Sequence, residues 1–320
     1  MITRGRVASV ACWLAAVPVA AWALLRLAGL ERGPLVQAVA FTPYVAAAAP
    51  AALVLALALR RRVPAVVAAL AALALAGAVA PRAVGDDGPT ADGPVLRLLT
   101  ANLLKGGAEP ARLVELVRTH HVDVLTVQEF TPQIAAELDR LGLATLLPYR
   151  SLQPEVGTTG SGLYARHPLS GTGFRRNEGF SFTQAYGTVA VPGAPPLRVE
   201  SAHPAAPYSV EVVPDWWTDL RAQPHATPEG GLSVLAGDFN ATLDHAPLRD
   251  LIDTGYVDAA DAAGAGFSGT WGPYDGDPIP PVTIDHVLVD RRIAVRAVSV
   301  HDVRGSDHRA VLAELRLPAA

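Results

Sequence analysis

Three long apolar runs open the chain, and no polar stripe follows the helical repeat in any of them. A bilayer core is crossed by roughly 20 apolar residues, and a helix that is apolar all round belongs in a core or in lipid. The pattern therefore predicts membrane-spanning helices over about residues 7–30, 35–59 and 63–81. Residues 82–93 are rich in Gly, Pro and Asp and read as a linker. From residue 94 to 320 the pattern changes to short β-like runs alternating with helical periodicity, enough chain for one α/β domain.

The first of these β-like runs is Val95–Ala101, ending in Asn102. EPARLVELVRTH follows, with Leu113, Leu116 and Val117 on one helical face. DVLTVQEF is the next run, ending in Glu129. A strand–helix–strand unit makes its two strands parallel neighbours, so Asn102 and Glu129 are expected at one edge of a sheet. Further on, LRVESAH ends in His203, and VLAGDFN ends in Asp238 and Asn240 with Phe239 between them as the anchor of the loop. If the chain stays extended there, Asp238 and Asn240 share a face. IDHVLVD begins with Asp285 and His286, and GSDHRAVLAEL carries Asp307 and His308 ahead of the last run. Each of these is ordinary alone, because Asp and Asn favour turns and a single His is commonly a surface or core-paired residue. Six strand ends tipped with such groups form a different pattern, since these residue types hold divalent cations and move protons.

The other notable polar and aromatic residues have duller expectations. His120 and His121 end a helix, His225 and His245 fall in polar loops, and all four read as surface residues. Of Trp216 and Trp217, at least one is expected in the core on a helix.

Charge gives the apolar region a direction. Arg4 and Arg6 precede the first run and Arg60–Arg62 separate the second from the third, which places those ends in the cytoplasm and everything after Pro81 outside. Arg26 near the end of the first run is expected to snorkel to the headgroups. The lone cysteine, Cys12, excludes an intrachain disulfide. Of 30 acidic residues only Glu31 precedes Arg82, whereas eight of 26 basic residues lie at or before it. The outer part thus carries 29 acids against 18 bases, a net charge of −11. Non-specific nucleic-acid binding depends on positive charge, so this balance favours a metal site and a small or membrane-held anion.

TANLLKGG, VQEF, GSGLYARHPL, SAHPAAP, LAGDFN, TIDHVLV and GSDHRAVLAEL resemble, in order and spacing, the endonuclease/exonuclease/phosphatase superfamily with the deoxyribonuclease I-like fold, over about Leu96–Leu315. The resemblance implies a four-layer α/β sandwich with the site at one end between two sheets, preceded here by the three-helix transmembrane region. It implies that Asn102 and Glu129, with Asp307 assisting, hold Mg²⁺ or Mn²⁺. It further implies that His308, oriented by Asp285, activates or orients water, that Asp238 and Asn240 position water and phosphate, and that His203 stabilises the phosphorane or serves the leaving oxygen. A second glutamate that orients the histidine in some members has only Glu178 as a loose counterpart.

Location guides the substrate, since tethering raises the effective concentration toward lipid headgroups. The expected activity is Mg²⁺-dependent hydrolysis of a phospholipid or polyprenyl diphosphate at the bilayer, a reading that the resemblance to three-span, outward-facing bacterial members also supports. Two other readings stand beside it. One is an anchored nuclease, for which Arg166, Arg175 and Arg176 are the nearest basic cluster. The other is a binding or sensor module without turnover, for which Asp238→Ala changes no phenotype.

Overall fold

The computed structural model describes residues 4–86, 88–273 and 278–320. It divides into two compact units: residues 1–81 with the segment Leu243–Ala246, and the remainder.

The first unit is helical. α1 (Arg4–Leu27) ends where Gly29, at φ 60°, lets Leu30 N–H reach back to Leu25 O over 3.0 Å. The second apolar run, expected as one helix, is two: α2 (Pro34–Val39) and α3 (Thr42–Ala58). Pro43 causes the break, because it has no N–H to donate to Val39 O; the Thr42 hydroxyl donates to that oxygen instead, over 2.6 Å. α4 covers Arg62–Val79. Two helical stretches, Gly5–Leu27 and Arg62–Ala83, are long and apolar enough to cross a membrane, and α3 is shorter.

The packing of this unit is inside-out relative to a soluble bundle. Ala16, Ala23, Ala49, Ala52, Ala68 and Ala71 fill its interior, while Leu14 and Leu73 are 71% and 70% exposed. Small residues let helix backbones approach closely, and apart from buried residues such as Leu75 many large side chains are left facing out. Two expectations are corrected here. Arg26 does not extend freely: its Nε lies 3.0 Å from Asp244 Oδ1, in a largely buried ion pair. His245 is buried, its Nε2 2.8 Å from Val36 O, because it belongs to the segment that packs in this unit.

The second unit is a two-sheet α/β sandwich. Its twelve described strands are numbered in chain order. One sheet contains β1 (Val95–Asn102), β2 (Val124–Gln128), β3 (Tyr149–Gln153), β4 (Ser161–Ala165), β11 (Ala294–Asp302) and β12 (Arg309–Arg316), in the order β11-β12-β1-β2-β4-β3. The other contains β5 (Leu169–Arg176), β6 (Thr183–Val189), β7 (Leu197–Ala202), β8 (Leu232–Asp238), β9 (Tyr256–Asp258) and β10 (Asp285–Asp290), in the order β5-β6-β7-β8-β10-β9. As the strand–helix–strand pattern requires, β1 and β2 are parallel, with Asn102 opposite Gln128.

Alternation along the strands builds the layer between the sheets. Leu96, Leu98, Val124, Val199, Val234, Ala236 and Val287 point into it and form the central core. The opposite face of the first sheet, with Leu99, Leu125 and Val127, is covered by α5 (Pro110–Thr119), α6 (Pro132–Arg140) and α7 (Leu143–Leu146). α8 (Val213–Arg221) lies on the outer side of the second sheet. It buries Trp216 fully and leaves Trp217 half-buried under Arg221, as the paired tryptophans led one to expect.

Candidate active site

The period-two alternation that builds the core also builds the site. Beyond the last aliphatic positions, the inward faces carry Thr100, Thr126, Gln128 and Ser201, and side chains link the two sheets. Gln128 Nε2 donates to Ser201 Oγ over 2.8 Å, and Thr126 Oγ1 to Ala236 O over 3.2 Å. One further step along the same inward faces are Asn102, Asp238 and Asp285, all buried. Antiparallel pairing of β8 with β10 sets Asp285 directly opposite Asp238.

Asp238 is the hub. Its Oδ2 accepts from Asn102 Nδ2 at 3.0 Å and lies 3.6 Å from His308 Nε2 and 3.8 Å from His203 Nε2. His308 Nδ1 is 2.9 Å from Asp285 Oδ2, so the carboxylate fixes the ring's direction as the resemblance implies. Thr270 Oγ1 receives the Asp285 N–H over 3.0 Å and holds the start of β10. Asn102 Nδ2 also lies 3.4 Å from Glu129 Oε1, and Glu129 Oε2 accepts from Lys105 N over 2.7 Å. Asp307 approaches His308 Nε2 to 3.9 Å and accepts from Trp271 Nε1 over 3.1 Å.

The backbone bends sharply at two of these residues. Glu129 has φ 53° and Asn240 φ 50°, left-handed conformations that are uncommon outside glycine and concentrate at functional sites. At Asn240 this departs from the extended path expected. Asp238 Oδ1 accepts the Asn240 N–H at 2.8 Å, closing a side-chain turn. Asn240 Nδ2 then donates to Pro204 O, beside His203, over 3.1 Å. Phe239 is fully buried and meets His286 edge-on, so it does anchor the loop. Gly237 permits the approach of β8 to β7, because a Cβ there would lie 2.0 Å from Ala202 O.

Burial and mutual charge set the protonation. Desolvation raises the Asp238 carboxyl, against the pull of His308 and with the help of Asp285. Burial opposes the charge on His308, but Asp285 and Asp238 outweigh it and keep the imidazolium above its usual range. His203 is pushed down to about 3 by burial and then by the charge of His308, so it is neutral. Burial raises Glu129 in spite of the Lys105 and Asn102 donors.

All eight residues singled out from the sequence therefore converge at one edge of the sandwich. Glu178 does not join them: it is exposed, and His203 Nδ1 has no hydrogen-bond partner among the described residues. His203 is held instead by its main chain. Asn177 Nδ2 donates to His203 O over 2.7 Å, and Gln184 Oε1 accepts the His203 N–H over 3.0 Å. Behind them Arg175 pairs with Glu200 and reaches Gln223 over 2.7 Å. Ser306, which no sequence pattern marks, joins the site: its hydroxyl donates to Asn102 O over 2.8 Å and accepts the His308 N–H over 3.1 Å. The alternation that marks inward residues was the available signal for Gln128 and Ser201, whereas Ser306 sits in a loop without periodicity.

The sequence pattern of the Endonuclease/Exonuclease/phosphatase family matches residues 99–308, well over half of the chain. The chain belongs to this family. Family members are hydrolases acting on phosphoester bonds. Among solved structures, the second unit is similar to an endonuclease/exonuclease/phosphatase from Beutenbergia cavernae, at 21% identity over 70% of this chain and 72% of that one, with a TM-score of 0.56. It is also similar to a variant of the 3′ phosphatase NExo from Neisseria bound to a product DNA hairpin, at 19% identity, 68% and 98% coverage and a TM-score of 0.52. Sphingomyelinase C from Streptomyces griseocarneus matches at 18% identity, 69% and 99% coverage and a TM-score of 0.50. At these identities the likeness establishes the two-sheet fold of the endonuclease/exonuclease/phosphatase family. No curated protein matches the chain.

Beneath the Asp238 loop, His286 faces away from the site. Its Nδ1 lies 2.7 Å from Asp258 Oδ2 and its Nε2 2.8 Å from Ala241 O. Burial disfavours the charge on His286, but Asp258 and the carbonyl outweigh it and raise its pKa above 6.5. A folded pKa above the unfolded one stabilises the fold fully below about pH 6.5, and that contribution fades as pH rises through the raised value. His286→Gln is therefore expected to lower the denaturation midpoint at pH 6 by more than it does at pH 9.5. A deficit independent of pH would contradict the charged pairing.

Proposed function

We propose that this family member is a membrane-anchored, divalent-metal-dependent phosphoester hydrolase whose catalytic unit faces outward and acts on a membrane-held phosphate or diphosphate, a phospholipid or polyprenyl diphosphate. The observation that carries the reading is the convergence on Asp238 Oδ2 of one amide and two imidazoles within 3.0–3.8 Å. A phosphoester resists attack because its oxygens repel a nucleophile, and donors fixed in a water-poor edge offset the charge that develops.

The donor set fits a hard cation. Carboxylate oxygens suit Mg²⁺ or Mn²⁺, and Asp307 Oδ1 and Asp285 Oδ1 are buried without a hydrogen-bond partner among the described residues. Asp238, Asp285 and His308 also offer ligand atoms within 4.8 Å of one another. We assign the ion to Glu129, with Asn102 and Asp307 assisting, because Asp285 is committed to His308. Ligation by Asn102 requires its amide to turn over, since its nitrogen now faces the two carboxylates. A bound cation supplies charge neutralisation at the phosphoryl oxygens. The chain's own groups do the rest: Asp238 and Asn240 position water, His308 held by Asp285 activates or orients it, and neutral His203 stands where the leaving oxygen departs.

Membrane attachment is supported by the helical unit, with leucines outside and alanines inside, and the arginine pattern supports three spans with the catalytic unit outside. The three arginines of the nearest basic cluster are each paired with a carboxylate. Arg166 pairs with Asp123, Arg175 with Glu200 and Arg176 with Glu155. The test is hydrolysis by the full-length protein of a polyprenyl diphosphate, a phospholipid and a DNA duplex in parallel, read as phosphate release, headgroup release and strand cleavage respectively. Turnover of a lipid arm is expected; cleavage of DNA alone would replace this reading with a nuclease.

A further inference from the structure

Next to His203 a file of aromatic rings leads from the site to the surface. Phe182 stacks on the His203 imidazole with centroids 4.3 Å apart and 28° between planes. Phe180 meets Phe182 edge-on at 5.1 Å, and Tyr208 meets Phe180 edge-on at 6.4 Å. Burial falls along the file, from 5% exposure at Phe182 to 65% at Tyr208, and Val210, two residues further along the chain, is 50% exposed. Large apolar side chains at a surface beside a reactive group mark a binding site more often than chance.

The file is built rather than incidental. It combines two loops, residues 177–182 ahead of β6 and residues 203–210 after β7, and buried polar groups tie those loops together. Asp219, fully buried on α8, accepts the N–H of Gly179 over 2.7 Å on one carboxylate oxygen and that of Ala205 over 3.0 Å on the other. Asn177 adds its bond to His203 O. Ser181, at φ 59°, makes the turn between the two phenylalanines. The loops hold the rings in place before any ligand arrives, which lowers the ordering cost of binding.

From this we infer that Phe180 and Tyr208, with Val210, form the subsite for the hydrocarbon chain carried by the leaving side of the substrate, placing that side at His203. The inference rests on the phosphoester hydrolase reading above and adds the residues that select the substrate. A nucleobase is the other ligand of aromatic surfaces, and it needs a free ring face on which to stack. At Phe182, the ring nearest the site, one face is taken by His203, and the net charge of −11 after Arg82 disfavours a polyanion. A flexible alkyl or prenyl chain fits such a stepped surface without parallel faces.

The test compares two non-hydrolysable ligands, hexylphosphonate and ethylphosphonate, binding to the full-length protein in lipid nanodiscs with Mg²⁺ present. The longer chain buries more apolar surface, so its partial burial is expected to give it about tenfold tighter binding. In Phe180→Ser/Tyr208→Ser that gap is expected to shrink to about twofold, while ethylphosphonate binding stays unchanged. Partition into the bilayer cancels in the comparison between proteins. An undiminished gap, no gap in the wild type, or loss of both ligands alike would overturn the subsite; so would a loss of oligonucleotide binding in place of alkyl binding. Wild-type turnover of the lipid substrates reports separately on the hydrolase reading, so the two failures are distinguishable.

Discussion

His308→Ala is expected to lower phosphate release from a lipid diphosphate by about two to four orders of magnitude, the range lost with a positioned acid–base group. Asp285→Asn is expected to cost about a hundredfold or more, because the amide no longer holds the imidazole in the tautomer and direction that the 2.9 Å contact enforces. Both are read as kcat on full-length protein, with circular dichroism confirming the fold. The effects are expected to be far from additive, since Asp285 acts through His308; the double variant should be about as slow as His308→Ala alone. Activity of His308→Ala within about tenfold of the wild type would remove His308 from the reaction.

The largest expected effect on stability lies outside the reacting groups, at Arg175. Its guanidinium pairs with the buried Glu200 carboxylate and also reaches Asn177 over 3.0 Å and Gln223 over 2.7 Å. Removing one partner of a buried pair strands the other, at about 3 kcal/mol or more. Arg175→Met is thus expected to destabilise the protein by about 3 kcal/mol in denaturant titration, and adding Glu200→Met should recover much of the loss. The same network holds both main-chain groups of His203, so activity should fall alongside stability. A midpoint within experimental error of wild type for Arg175→Met would show that the pair contributes little.

Much of this site is legible in the sequence because a strand exposes alternate residues to one face. Once Val234 and Ala236 are read as core, Asp238 follows on the same side, and the same step leads from Leu98 through Thr100 to Asn102. The parallel pairing of β1 and β2 follows from the helix between them. Where the chain leaves regular structure this reasoning stops. Asn240 turns away because Asp238 captures its N–H, a local closure that periodicity does not encode. Arg175 looks in sequence like a cation available to a phosphate, and only the fold reveals the buried Glu200 that takes it. His286 is adjacent to a site residue, yet its odd-versus-even position turns it to the outer face and to Asp258. In the helical unit, hydropathy treats residues 35–59 as uniform, while the missing N–H of Pro43 divides them.

The most direct measurement of the central claim is the polyprenyl diphosphate assay run on full-length protein, first with EDTA and then with Mg²⁺ restored, beside Asp238→Asn. Phosphate release is expected to disappear with the metal, to return on its addition and to be lost in the variant. Release that persists in EDTA, or that Asp238→Asn leaves intact, would contradict a metal-dependent phosphoryl site centred on Asp238.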